Sequence, residues 1–334
     1  MRLMKLALGA CLAAMTVASP AHAKRDTPAY TSLTVFGDSL VDAGNVNFIS
    51  GGVFAPASRG YFQGRFTNGY DYTDWLSLAL FGTPTVASLK GGTNFAYGGA
   101  RATSTSGVPD LSEQLVEFNA RRAGGLAVDP NGLYVLNFGG NDVFAAANDG
   151  ATQAPLGYAS DEAYLRDAAA VYADGVQALA DLGVRNVLIT GFPVATPGLG
   201  RDYSLLAEGF LSQELGGLTL ADDFSLLRFS YLDFFDRVLA NPGALGLREP
   251  LILPPATCIA ANAQAGGCAR YFSFDGVHPT AAIQGALFRD VNSQFNLTAG
   301  VPEPATWLFL IGGVGAVGGA LRLRRRRERE AVAA

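Results

Sequence analysis

The 334 residues carry 24 Lys and Arg against 29 Asp and Glu, and 49% of them are hydrophobic, which is enough to bury a large core as one domain. Setting both ends aside leaves residues 24–300 with 16 basic against 26 acidic side chains, a net charge of −10. No basic patch remains to neutralise phosphates, which argues against nucleic acid as a partner. A single histidine outside the first 23 residues and no CxxC pair argue against a metal site.

Met1 to Ala23 opens with Arg2 and Lys5, runs through apolar Leu6 to Val17 and ends on Ala21-His22-Ala23. This pattern fits a secretory signal peptide, expected to be cut after Ala23, and the shortness of the apolar run disfavours a permanent anchor. From there strand-like and helix-like stretches alternate. A buried strand is expected over Thr31 to Phe36, then helices over Asp71 to Phe81 and Asp110 to Arg122, then a strand over Tyr134 to Phe138. A helix over Asp161 to Leu182 and a strand over Asn186 to Gly191 follow. Between Pro193 and Pro255 the pattern predicts helices over Leu205 to Leu220 and Tyr231 to Ala240 flanking a strand over Leu226 to Ser230, and a last helix runs from Thr280 to Phe295. Alternation of this kind predicts a parallel sheet covered on both faces by helices.

At the far end, Val301-Pro302-Glu303-Pro304 precedes an apolar, glycine-rich segment from Ala305 to Leu321, closed by Arg322, Arg324 to Arg327 and Arg329. At 1.5 Å per residue that segment reaches about 25 Å, enough for a thin membrane with the arginines cytoplasmic. The tail, residues 301–334, resembles the PEP-CTERM sorting signal of Gram-negative bacteria. The resemblance implies transient anchoring by residues 305–321, removal by the membrane protease exosortase, and a final location at the cell surface, periplasm or extracellular matrix; a plain C-terminal anchor is the alternative. Of the three cysteines, Cys11 falls in the signal peptide, and Cys258 and Cys268 of an exported chain are expected to form one disulfide.

Four short blocks carry the chemistry. Phe36-Gly37-Asp38-Ser39 sets a serine just past the carboxyl end of a strand, where open α/β sheets bind ligands. Asn94-Phe95-Ala96-Tyr97-Gly98-Gly99-Ala100 ends a short strand-like run on a glycine pair. Phe138-Gly139-Gly140-Asn141-Asp142 places a neutral amide on the same sheet edge as Ser39. Phe274-Asp275-Gly276-Val277-His278-Pro279 puts a carboxylate and the only imidazole outside the signal peptide three residues apart, so a serine mechanism in this chain has His278 as its base. Taken singly, Ser39, Asp38, Asn141 or Asp142 could each cap a helix, and Gly98-Gly99 could be a plain turn.

In this order, the blocks resemble the GDSL family of SGNH hydrolases, esterases and lipases. The resemblance covers nearly all of residues 24–300 and implies a three-layer α/β/α sandwich with a mostly parallel central sheet. It implies Ser39 as nucleophile, His278 as base and Asp275 as the group that orients the base. The oxyanion would be held by the N–H groups of Ser39 and Gly99, with Gly98 a one-residue alternative, and by the side chain of Asn141. No metal or organic cofactor is implied. Gly64-Arg65-Phe66-Thr67-Asn68-Gly69, leading into Tyr72 to Leu76, is similar to a segment of longer lipolytic members and is expected to shape the lip of the site. The expected reaction is hydrolysis of a carboxylic ester through an acyl-enzyme, the substrate being a lipid, a short acyl ester or an acylated glycan. An acyltransferase using the same triad, or a catalytically silent surface module that binds glycan or lipid, are the rivals.

Overall fold

Four five-residue strands, β1 (Leu33–Gly37), β2 (Leu133–Asn137), β3 (Asn186–Thr190) and β4 (Ser225–Phe229), lie side by side in chain order in the computed structural model, every neighbouring pair parallel. The structure describes residues 30–103, 106–148, 157–194, 199–264 and 267–298. The expected signal peptide and the expected sorting signal lie outside these. Among the described residues no helix is long and apolar enough to cross a membrane.

Parallel neighbours need long crossovers, and helices supply them. In chain order these are α1 (Asn45–Ile49), α2 (Tyr72–Phe81), α3 (Leu111–Ala123), α4 (Gly140–Asn148), α5 (Asp161–Asp181), α6 (Leu199–Gly216), α7 (Tyr231–Ala240) and α8 (Ala281–Phe295). Side chains alternate across each strand. Phe36, Tyr134, Leu136, Val187 and Ile189 point to one face and pack with Leu111 and Phe118 of α3, Val143 of α4, Tyr172 and Val176 of α5 and Phe210 of α6. Leu33, Val35, Leu133, Val135 and Leu188 point to the other and pack with Tyr72 and Leu76 of α2, Phe234 and Val238 of α7 and Ile283 and Leu287 of α8. Both faces of the sheet are therefore buried, as in an α/β/α sandwich, and the strands read as nearly continuous apolar runs for that reason.

Residues 93–97 run parallel along the free edge of β1, with Val35 N–H donating to the Thr93 carbonyl (3.0 Å) and Phe95 N–H to the Val35 carbonyl (2.7 Å). Each expected strand falls within two residues of the observed one. The helix expected over Leu205 to Leu220 instead spans Leu199–Gly216: the Gly216-Gly217 pair stops it, since two glycines in succession cost more backbone entropy than a helix end returns. A small second sheet, β5 (Ile252–Thr257) beside β6 (Tyr271–Ser273), was not expected. Pro254 and Pro255 argue locally against a strand, and β5 tolerates them because it is one edge of a two-stranded sheet.

Candidate active site

The carboxyl ends of β1 and β2 are in register, Gly37 opposite Asn137, so the loops that follow them open on the same edge. Gly37 is held through both backbone groups by the buried side chain of Gln114: its N–H donates to Oε1 (2.9 Å) and its carbonyl accepts from Nε2 (2.8 Å). A Cβ there would stand 2.5 Å from Val41 Cγ2 and 2.8 Å from the Asn137 carbonyl, so only glycine fits. The chain then turns sharply. Asp38 N–H donates to the Asn137 carbonyl (3.1 Å) and Asp38 Oδ1 accepts from Leu40 N–H (2.9 Å), which leaves Ser39 at the tip. Burial pushes the Asp38 carboxyl up to about 7 against the pull of the Leu40 N–H, and the nearby carboxylates of Asp142 and Asp42 push the same way.

Ser39 Oγ lies 2.7 Å from His278 Nε2, and His278 Nδ1 lies 2.7 Å from Asp275 Oδ2. Asp275 Oδ1 accepts from the backbone N–H groups of Val277 (3.0 Å) and His278 (2.9 Å), and Oδ2 accepts a further bond from the Tyr61 hydroxyl (2.9 Å). Burial alone would raise the Asp275 carboxyl, but the hydrogen bond and charge of His278, together with the two backbone donors, hold it down at about 2. An ionised Asp275 keeps the imidazole proton on Nδ1 and turns the Nε2 lone pair toward the serine hydroxyl.

The loop bearing Asp275 and His278 is docked by the stretch that begins at Gly64. Thr67 Oγ1 donates to the Pro279 carbonyl (2.8 Å), Asn68 Oδ1 accepts from Ala281 N–H (2.8 Å) at the start of α8, and the Phe66 ring lies 5.1 Å from the His278 ring. Arg65 in turn is anchored by a buried ion pair with Asp74 of α2. The stretch expected only to shape the lip thus holds the histidine in place. Cys258 and Cys268 form a disulfide with Cα atoms 5.3 Å apart, packed with Phe274, and so tie the end of β5 to the start of β6.

Asn141 and Asp142 do not cap a helix at Val143: α4 already begins at Gly140, and Val143 N–H donates to the Gly139 carbonyl (3.0 Å). Asn141 Nδ2 donates one hydrogen to the Ala100 carbonyl (2.8 Å), which orients the amide and leaves its second hydrogen to a ligand. The two glycines differ in hydrogen bonding. Gly98 N–H is taken by Asp42 Oδ2 (2.9 Å), and a Cβ on Gly98 would be 2.3 Å from Phe66. Gly99, exposed and at φ +92°, has an N–H without an acceptor among the described residues. Asp142 pins the far side of this loop through Ala102 N–H (2.9 Å) and Thr103 Oγ1 (3.1 Å). Asp38 and Asp142 therefore both accept from backbone N–H groups of the loops around the site.

Ser39, Asn141 and His278 line one cleft of about 110 Å³ whose remaining wall is largely apolar, with Leu40, Phe144, Val194, Phe235 and Phe272. Among the described residues no group of three or more His, Cys, Asp or Glu is placed to hold a metal. Gln114 and Tyr61 were not foreseen, and Asn68 lay in the stretch expected to shape the lip without a role of its own. Gln114 left a trace, a polar side chain on the same helical face as Leu111 and Phe118; Tyr61 lies in an irregular loop and left none.

A family model described as GDSL-like Lipase/Acylhydrolase matches residues 33–291. Lipase 1 of Photorhabdus luminescens is 32% identical over 173 residues, 49% of this chain and 22% of that protein. Acetylajmalan esterase 2 of Rauvolfia serpentina is 29% identical over 234 residues, 59% of this chain and 62% of that protein. The chain thus spans less than two thirds of the length of these curated relatives. The solved structure of LAE5, an alpha/beta hydrolase enzyme from the metagenome of Lake Arreo, Spain, aligns with 80% of this chain and 97% of its own at 17% identity and a TM-score of 0.44.

Proposed function

The chain belongs to the GDSL-like lipase/acylhydrolase family, and from that footing we propose that it is an exported serine esterase or lipase that hydrolyses carboxylic esters through an acyl-enzyme on Ser39. The observation that carries this is the unbroken run of two 2.7 Å contacts from Ser39 Oγ through the His278 ring to Asp275. His278 Nε2 takes the serine proton as Oγ adds to the ester carbonyl, and Asp275 stabilises the imidazolium that forms. The carbonyl oxygen, now an oxyanion, accepts from the N–H groups of Ser39 and Gly99 and from the Asn141 amide. His278 then passes its proton to the departing alkoxide, leaving an acyl-Ser39 ester. Water, deprotonated by the same imidazole, adds to that ester and releases the acid and the free serine.

The apolar walls of the cleft suit the acyl portion of a lipid, a short acyl ester or an acylated glycan. Export rests on the pattern of residues 1–23, which signal peptidase would remove, and on the tail at 301–334, which exosortase would remove after transient insertion of residues 305–321 in a membrane. A disulfide between Cys258 and Cys268 suits an oxidising compartment. A serine-directed fluorophosphonate should label the protein on Ser39, and Ser39→Ala should lose the label together with at least about 10⁴-fold of its ester turnover. Hydrolysis by Ser39→Ala near the wild-type rate would overturn the proposal.

A further inference from the structure

A carboxylate that only orients an imidazole needs one oxygen facing the ring. In this chain that oxygen, Asp275 Oδ2, takes two side-chain donors, His278 Nδ1 at 2.7 Å and the Tyr61 hydroxyl at 2.9 Å, and the second comes from 214 positions away. Oδ1 is occupied by the backbone N–H groups of Val277 and His278. We infer that Tyr61 is a positioning residue of the triad: by sharing Asp275 Oδ2 with His278, its hydroxyl locks the carboxylate and lowers the proton affinity of the imidazole. The inference rests on His278 being the base proposed above.

Tyr61 is built into the site rather than laid over it. Its half-buried ring stands edge-on to Phe274 (5.0 Å) and to Phe66 (6.4 Å), and Phe66 in turn covers the His278 ring. Burial, and then the charge of Asp275, push the Tyr61 hydroxyl well above its ordinary value, so it keeps its proton and always donates. Among the described residues, the charged and titratable groups that face the pair are few. Asp275 lies on the same loop as His278, Arg59 acts on Tyr61 from the turn just before it, and Asp38 lines the cleft beside Ser39; Phe66 and Phe274 are apolar.

The direction of the effect follows from electrostatics. Each donor on Oδ2 spreads its negative charge and makes it a weaker acceptor for the other. With Tyr61 in place, imidazolium is therefore stabilised less than by a carboxylate that served the ring alone. Removing only the hydroxyl, in Tyr61→Phe, preserves the ring packing and hands Oδ2 entirely to His278.

The test is the pH profile of kcat/KM for a soluble acyl ester, read beside the NMR titration of the His278 ring, whose resonance is assigned by its loss in His278→Asn. Tyr61→Phe should move the acid limb and the His278 midpoint together to higher pH by about half a unit, with the plateau rate within a few-fold of wild type. A side chain that merely fills space would leave both midpoints where they were, and that result, or a shift to lower pH, overturns the inference. An upward His278 shift in a protein without ester turnover would leave the Tyr61 pairing intact and sink the proposed hydrolase activity instead. Normal turnover with an unmoved His278 titration would sink the role of Tyr61 alone.

Discussion

Ser39 stands two residues past β1, where Gly37 is in register with β2 and clamped through both backbone groups by Gln114, whereas His278 stands five residues past the three-residue strand β6 and is docked by Tyr61, Thr67 and Asn68 across 212 to 214 positions of chain. The first arrangement forms with the sheet itself. Four parallel strands and two buried faces over-determine the turn at Asp38, so Ser39 has little freedom once the core has formed. The second depends on a few hydrogen bonds between loops. Catalytic alignment is sensitive to displacements of an ångström or so, so the loop-held half is where rate can be lost without unfolding the protein.

Asp275→Asn strikes the loop-held half hardest. It keeps the shape, removes the charge that stabilises imidazolium and favours the wrong tautomer, and kcat should fall by about 10⁴. Steady-state turnover with an unchanged fold, checked by circular dichroism, measures it; an unchanged kcat would mean that a different carboxylate orients His278. On the sheet-held side, Asn141→Ala removes the amide in the first turn of α4 that is proposed to hold the oxyanion, and kcat should fall by about 10² to 10³ with a smaller change in KM. Were KM to carry the loss, Asn141 would be a ground-state binding residue.

The smallest effect discriminates most sharply between the two halves. Asn68→Ala removes the side chain that accepts from Ala281 N–H at the start of α8, and should cost about 1 kcal/mol of stability by denaturant titration. If this contact also places His278, kcat should drop a few-fold while KM holds. Lost stability with an unchanged kcat would show that residues 64–69 support the fold without steering the histidine, and the contrast between the halves would have to be redrawn around Tyr61 alone.

The chain's local patterns were enough for the strands and most helix limits, because apolar periodicity and capping act within a turn or two: Asp71 caps α2 and Ser230 caps α7, whereas both limits of α6 were misplaced. They were enough, too, for the positions of Ser39, Asn141, Asp275 and His278, since a serine beyond a strand, an amide on the same edge and a carboxylate three residues from a lone imidazole are each short-range patterns. What only the tertiary structure decided involves residues far apart in the chain. Whether Gly98 or Gly99 has a free N–H depended on Asp42 reaching across to Gly98, a separation of 56 residues. The prolines of β5 became tolerable only once β6 lay beside them on an edge. Tyr61 acquires a role only when loop closure over more than 200 residues brings Asp275 to its hydroxyl. Nothing local to the sequence around residue 61 encodes that meeting; the packing of α8 against α2 and the docking of residues 64–69 create it.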